Sequence, residues 1–252
     1  MSSIVISSRQ HPLCKLVRSL HNGRDRRRQR LFVVEGGNGV TAALGARWPL
    51  QRLLAAPEDL EDGWGEVAAT AGVDIQPVTP EILQYLCDAQ TSPGVLAIAH
   101  LPEAQTLAEI APPGLTLVLD SIGDPGNVGT LIRTADAVAA SAIVATQNSA
   151  DPFAPKVVRA SAGSLFHMNM APQSTPDLLI EEFSALRIPI VVAVAHQGED
   201  CFSYRWPRRC ALVLGHETRG ISPELEEVAT ARVTIPMVGR AESLNVASAG
   251  AV

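Results

Sequence analysis

The sequence predicts an α/β protein whose second half is built on a mostly parallel sheet, and three observations carry that expectation. From residue 115 onward, short apolar runs take turns with helix-like segments, the pattern of parallel strands joined by crossover helices. Hydrophobic residues make up 46% of the 252 positions but aromatics only 4%, so the core must be assembled from Ala, Val, Leu and Ile, as in strands buried on both faces. The length suits one large domain or two small ones.

In chain order, RLFVVE (30–35) reads as a buried strand and GGNGVTAALGA as a small-residue helix. Strands follow at 51–55, 73–78 and 95–99, separated by the helical patterns EDGWGEVAATAG and PEILQYLCDA. Residues 1–99 thus form a first α/β domain, 100–113 a proline-rich linker, and 114–252 a second domain. In the second, strands are expected at 115–120, 142–146, 165–170, 189–195, 211–215 and 232–237, with a helix over 127–140. Thr175 and Pro176 carry a helix-start signal. Ligands of such sheets bind beyond the carboxyl ends of strands, so the loops after Asp120, Ala195, Gly215 and Met237 are where chemistry is expected.

Charge is divided unevenly. Residues 1–30 hold eight basic side chains against one acid, a local +7, whereas the remainder carries −13 within a chain of net −6. Such a cluster attracts polyanions, and Arg forks match phosphate geometry, so nucleic acid is the first partner to consider; a solvated basic terminus is the alternative. Cys14, Cys87, Cys201 and Cys210 form no C-x-x-C pair, so neither a metal site nor a disulfide framework is expected. No apolar run is long enough for a membrane span, and the opening MSSIVISSRQ lacks the charged start of a leader, so a cytoplasmic setting is expected.

Gly37-x-Gly39-x-x-Ala42, after a strand and opening a helix, imitates a dinucleotide fingerprint, with Glu58 near the spacing of a ribose-binding acid. Glu58 follows Ala-Ala-Pro in a polar loop rather than ending a second strand, which favours a plain Gly turn over a nicotinamide oxidoreductase.

Three later segments put polar groups at strand ends. In the first, Asp124-Pro125-Gly126 is expected to form a turn and Asn127 to cap a helix carrying Arg133; beside Leu131, Ile132 and Ala135, that arginine is expected close to the core, with an anion or carbonyl partner, catalytic or structural. In the second, Gly215 ends a strand, Glu217 follows, and Gly220 allows another bend. In the third, Ile235-Pro236-Met237 and a Gly239 turn lead to Ser243-Leu244-Asn245 and a run of very small residues that permits close packing.

Together these segments resemble the three motifs of the SpoU/TrmH-type class of SPOUT RNA ribose 2′-O-methyltransferases: Asp124-Pro125-x-Asn127-x-Gly129 with Arg133-Thr134-Ala135, Leu214-Gly215-x-Glu217 with Gly220, and Ile235-Pro236-Met237 with Ser243-Leu244-Asn245-Val246-Ala247. The intervening Asp151-Pro152-Phe153-x-Pro155-Lys156-x-x-Arg159 also looks like the family's segment. The first half is similar to the ribosomal-protein-like substrate domain of many members. The resemblance implies a trefoil-knotted methyltransferase domain, S-adenosylmethionine as cofactor, and a homodimer with the active site near its interface. It implies that Val194, Ala195, Gly215, Ile235, Met237 and Leu244 hold the cofactor. Arg133 is then the central catalytic residue, with Asn127, Glu217, Ser243 and Asn245 positioning it and the target nucleotide. Because a guanidinium does not give up its proton near neutral pH, Arg133 suits orientation and charge stabilisation, leaving the proton to Glu217 or water. Arg24, Arg26, Arg27, Arg28, Arg30, Lys156 and Arg159 are expected to contact phosphates of RNA, ribosomal by family analogy, with tRNA or a non-catalytic RNA-binding role as alternatives.

Overall fold

The computed structural model describes residues 4–89, 94–110 and 113–252. The chain forms two compact units, Met1–Pro102 with Phe153–Phe166, and Glu103–Pro152 with His167–Val252.

The sheet of the first unit contains β1 (Leu31–Glu35), β2 (Leu50–Ala55), β3 (Ile75–Pro77) and β4 (Val95–His100) in the order β1-β4-β2-β3. β4 runs antiparallel to both β1 and β2, and only β2 and β3 are parallel. Every residue of β1 is buried, as are the first five of β4. The basic opening is ordered. His11 and Pro12 start the helix Pro12–Ser19, whose Cys14 and Val17 join the core, and Asn22 caps a second helix, Gly23–Gln29, through a 2.9 Å bond from Arg24 N–H.

This topology overturns the dinucleotide reading. The helix Gly37–Gly45 does not link neighbouring parallel strands, because the neighbour of β1 is antiparallel β4. The two glycines serve packing instead: a Cβ at Gly39 would lie 3.0 Å from Val34 Cγ1, and one at Gly37 3.2 Å from Trp64 Cζ2. Glu58 is exposed in the short helix Pro57–Asp59.

Phe153–Phe166 belongs with this first unit although it lies far along the sequence. The Phe32 ring stands 5.1 Å from Phe153 and 6.3 Å from Phe166, which meets Trp48 edge-on at 5.3 Å. Arg159, on the helix Pro155–Ala160, reaches the buried Glu35 carboxylate at 3.0 Å and Asp88 at 3.3 Å. Glu35 also accepts the backbone N–H groups of Asp88 at 2.8 Å and Ala89 at 3.2 Å, so this buried charge is fully partnered. Burial, then the Glu35 charge, pushes the neighbouring Cys87 thiol up to about 12, which leaves it unreactive.

The second unit holds β5 (Leu115–Leu119), β6 (Ala142–Ala145), β7 (Ile190–Ala193), β8 (Glu199–Asp200), β9 (Cys210–Leu214) and β10 (Ala231–Thr234). They pair in parallel throughout, in the order β6-β5-β9-β7-β10-β8. The core lies between this sheet and its covering helices, with Val118, Val144, Val192 and Val213 against Leu179 and Phe183 of the helix Pro176–Ala185.

Four expectations change. Residues 100–113 are not a free connector: Leu107 and Ile110, on a short helix, are 1% and 3% exposed within the second unit's core, while positions 111 and 112 lie outside the described residues. The strand expected at 165–170 is one 3-10 turn, Ser164–Phe166, then a turn and bend that end in a single bridge from Met170 to Ile143; Gly163, at φ 98°, starts the 3-10 turn. β10 stops at Thr234, before Pro236, which has no N–H for the ladder. The short β8 had no apolar signal, since both its residues are exposed acids.

Candidate active site

The strand ends of the second unit are tied together by one buried carboxylate. Asp120, 1% exposed just past β5, accepts from Ser222 N–H at 2.6 Å and from the Thr146 hydroxyl, just past β6, at 3.2 Å. Thr146 in turn accepts from Ser121 N–H at 2.9 Å. A side chain this buried costs stability unless satisfied, so its bonds fix how the surrounding loops leave the sheet.

On that frame the three motif segments meet. Asp124, rather than the expected Asn127, caps the helix Pro125–Ala137, accepting from Asn127 N–H at 2.8 Å; Asn127 sits in the first turn because Pro125, with φ already helical and no N–H to satisfy, starts the helix. The Asn127 side chain then donates to Glu217 and accepts from the Asn245 amide at 3.1 Å. Asn245 Oδ1 caps the last helix, Val246–Ala249, by accepting from Ala247 N–H at 2.9 Å and Ser248 N–H at 3.3 Å. Glu217 stands at the tip of a tight turn in which His216 and Gly220 exchange two 2.9 Å backbone bonds. Gly220 is left-handed at φ 72°, and His216 Nδ1 braces the turn from inside by accepting from Thr218 N–H at 3.1 Å. Glu217, Asn127 and Asn245 thus form one continuous hydrogen-bonded chain across the three segments.

Asn245→Ala removes both the cap and the link to Asn127. We expect a stability loss of about 1–2 kcal/mol, read as a lower midpoint in urea unfolding. An unchanged midpoint would show that the cap carries no weight.

Beside this chain lies a cavity of about 540 Å³, within the range of small-molecule and cofactor sites. Val194, Ala195, Gly215, Ile235, Met237 and Leu244 all line it. Glu217 and Ser243 are on its wall too. Gly215 is required by close approach, because a Cβ there would fall 2.5 Å from the Gly220 carbonyl oxygen. Gly250 of the final small-residue segment is pressed against Leu131 and Leu214 in the same way. Largely apolar walls that carry the carboxylates of Glu217 and Glu226 suit a flat heterocycle joined to a cationic group.

Arg133 departs from expectation. It is exposed rather than near the core, its side chain makes no hydrogen bond or ion pair among the described residues, and it is not on the wall of the cavity. Its helix presents Thr134 and, just beyond, Val138 to the cavity; one residue earlier means a turn of about 100°, which aims Arg133 elsewhere. Sequence reasoning also missed Phe202 and Trp206 on the cavity wall. Their signal was available: they are two of the chain's few aromatics, in a loop beyond β7 and β8.

The basic residues sort into two groups. Arg24, Arg27, Arg28, Arg30 and Lys156 are exposed, with Arg28 paired to Asp25 at 2.7 Å and Arg30 donating to the Pro102 carbonyl. Arg26 is not available to a phosphate: it is 3% exposed and donates to the carbonyls of Leu20 at 2.9 Å and His21 at 3.0 Å, where it fastens the two opening helices. Arg159 is likewise occupied by Glu35 and Asp88. Among the described residues no cluster of His, Cys, Asp and Glu could hold a metal, and no helix is long and apolar enough to cross a membrane.

A parallel α/β unit with a cofactor-sized cavity at its strand ends, whose wall includes Glu217 tied through Asn127 to Asn245, defines a small-molecule-binding α/β architecture. The chain belongs to the SpoU rRNA methylase family, whose model matches residues 114–252; residues 11–97 match an MRM3-like substrate binding domain. Among curated relatives, the 23S rRNA (guanosine(2553)-2′-O)-methyltransferase RlmP of Bacillus subtilis is 28% identical over 98% of this chain and 96% of its own length. The 23S rRNA (uridine(2479)-2′-O)-methyltransferase of Streptomyces viridochromogenes is 31% identical over 91% of this chain and 83% of its own. The structure of the SpoU methyltransferase AviRb from Streptomyces viridochromogenes in complex with AdoMet superposes with a TM-score of 0.89 at 28% identity, covering 96% of this chain and 95% of that one. An AdoMet-bound rRNA methyltransferase from Sinorhizobium meliloti gives 0.87 at 28% identity, covering 99% and 95%.

Proposed function

We propose that the protein transfers a methyl group from S-adenosylmethionine to a ribose 2′-hydroxyl of ribosomal RNA, acting as a cytoplasmic homodimer. The observation that carries this is the Glu217–Asn127–Asn245 chain beside the cavity, which a passive RNA-binding module has no use for. Relatives named as 23S rRNA methyltransferases align over nearly the whole chain, including the substrate-binding half, which favours ribosomal RNA over tRNA.

S-adenosylmethionine, held by Val194, Ala195, Gly215, Ile235, Met237 and Leu244, supplies an electrophilic methyl on a sulfonium. The residues of this chain then have two tasks: to align the 2′-oxygen and to take its proton as the carbon–oxygen bond forms. Asn127 and Asn245 hold Glu217 at the cavity wall, where its carboxylate, or a water it orients, takes that proton. Ser243 lies on the same wall and is placed to orient the ribose. Arg133, free and turned from its own cavity, serves the partner protomer's site, where it neutralises a phosphate or the developing alkoxide. Exposed apolar side chains at Val138, Leu244 and Val252, all on the cavity wall, support a second copy closing over this face.

A trefoil knot is part of the proposal. After β10 the chain returns to the helix Pro125–Ala137 and β9, where Gly250 seats against Leu131 and Leu214 with no room for a Cβ. Mapping 2′-O-methylated riboses in ribosomal RNA incubated with the protein and S-adenosylmethionine tests the activity; no new methylated ribose would refute it.

Arg24, Arg27, Arg28, Arg30 and Lys156 are proposed to contact RNA phosphates. Replacing Arg24, Arg27 and Arg28 by Gln weakens RNA binding and flattens its log–log salt slope by about one per lost contact, as a filter-binding titration in KCl reads directly. A slope equal to that of the unaltered protein would remove the segment from the interface.

A further inference from the structure

Two arginines of the opening segment remain without a role. Arg9 precedes the helix Pro12–Ser19 and Arg18 lies in its last turn, yet both guanidiniums converge on one ring. Arg9 Cζ stands 4.5 Å from the centroid of Tyr85 and Arg18 Cζ 5.2 Å, so the two cations cannot be further apart than those distances together allow. Arg18 is fixed further by donating to the Tyr85 carbonyl at 3.3 Å.

Both arginines are exposed, and neither has a carboxylate partner among the described residues. The acids nearby in sequence are engaged elsewhere: Glu81, one turn before Tyr85, bonds back to Thr79, and Asp88 is held by Arg159. Lys15, one turn before Arg18, adds a third exposed cation to the same face of its helix. The field is felt next door, where burial and then the Arg18 charge hold His21 below the usual imidazole range. Like charges gathered on one ring without a counter-ion repel each other, and an anion is their natural complement. A ring already flanked by two guanidiniums is poorly placed to stack a base, whereas their forks suit phosphate oxygens.

We propose that Arg9, Arg18 and Tyr85 form a second RNA-gripping site, in which the ring holds two guanidiniums ready for the phosphodiester backbone of the substrate. This rests on the reading of the protein as an RNA methyltransferase and extends it to a defined contact outside the 24–30 segment.

The test uses the full chain and a 23S rRNA transcript in filter-binding titrations across a KCl series. R9Q/R18Q raises the Kd about tenfold at 0.1 M salt and makes the log–log slope shallower by about two. Y85F, which keeps the ring, binds within about twofold of the unaltered protein, while Y85L, which keeps both charges but frees them, binds several-fold more weakly. S-adenosylmethionine affinity, read by calorimetry, stays unchanged in all three. An unaltered slope in R9Q/R18Q, or equal binding by Y85F and Y85L, overturns the grip. If the unaltered chain binds the transcript with a steep salt slope but methylates nothing, the activity fails while the grip is judged by the same variants.

Discussion

Arg133→Ala lowers methyl transfer by roughly a hundredfold to a thousandfold, the scale of losing one charge-stabilising donor, while S-adenosylmethionine affinity is unchanged. The reason is positional: the side chain is exposed, without a partner among the described residues, and off the cavity wall, so it touches nothing the cofactor needs. Calorimetry showing cofactor binding lost in step with turnover would contradict this. The arrangement across protomers has a sharper test. Mixing the Arg133→Ala protein with a variant whose own cavity is disabled recovers about a quarter of full activity, because half the dimers are mixed and each holds one complete site. If Arg133 serves its own protomer, the mixture stays inactive.

Gly215→Ala supplies the disabled cavity. The added methyl group would lie 2.5 Å from the Gly220 oxygen and 2.6 Å from its carbonyl carbon, and neither atom belongs to a flexible side chain that could yield. The turn carrying Glu217 must move, and with it a wall of the cavity. We expect S-adenosylmethionine binding to weaken by on the order of a hundredfold and stability to fall by about 1–3 kcal/mol, the usual cost of overpacking. Calorimetry with the cofactor and urea unfolding measure the two effects. Near-normal affinity would mean that the 216–220 turn does not shape the pocket.

Much of this architecture was legible because it follows from local rules. Buried strands such as VLAIAH and CALVL announce themselves as apolar runs, and Thr175 and Asn245 start the helices their types and positions suggest, whereas the cap expected at Asn127 falls three residues earlier, on Asp124. The six residues assigned to the cofactor fall on one cavity because three loops leave neighbouring ends of one parallel sheet. What escaped depends on partners distant in sequence. Arg26 and Arg159 look like their exposed basic neighbours, and only the folded chain shows one capped by carbonyls and the other held by Glu35 and Asp88. The apolar neighbours of Arg133 suggested burial, but a helix turns by a large angle at each residue, so adjacency in sequence says little about a shared face. Residues 165–170 alternate like a strand, yet the alternation yields only one bridge to Ile143.

The grouping of Phe153–Phe166 with the first half has a practical corollary for anyone dissecting the protein. A fragment starting at Glu103 would carry Phe153 and Phe166 stripped of Phe32 and Trp48, and Arg159 stripped of Glu35. Such a fragment would be sticky and poorly soluble, while the complementary piece would bear an orphaned acid in its interior. The two halves are therefore not interchangeable cassettes: grafting a foreign substrate-binding half onto this catalytic half requires exchanging the 153–166 segment along with it.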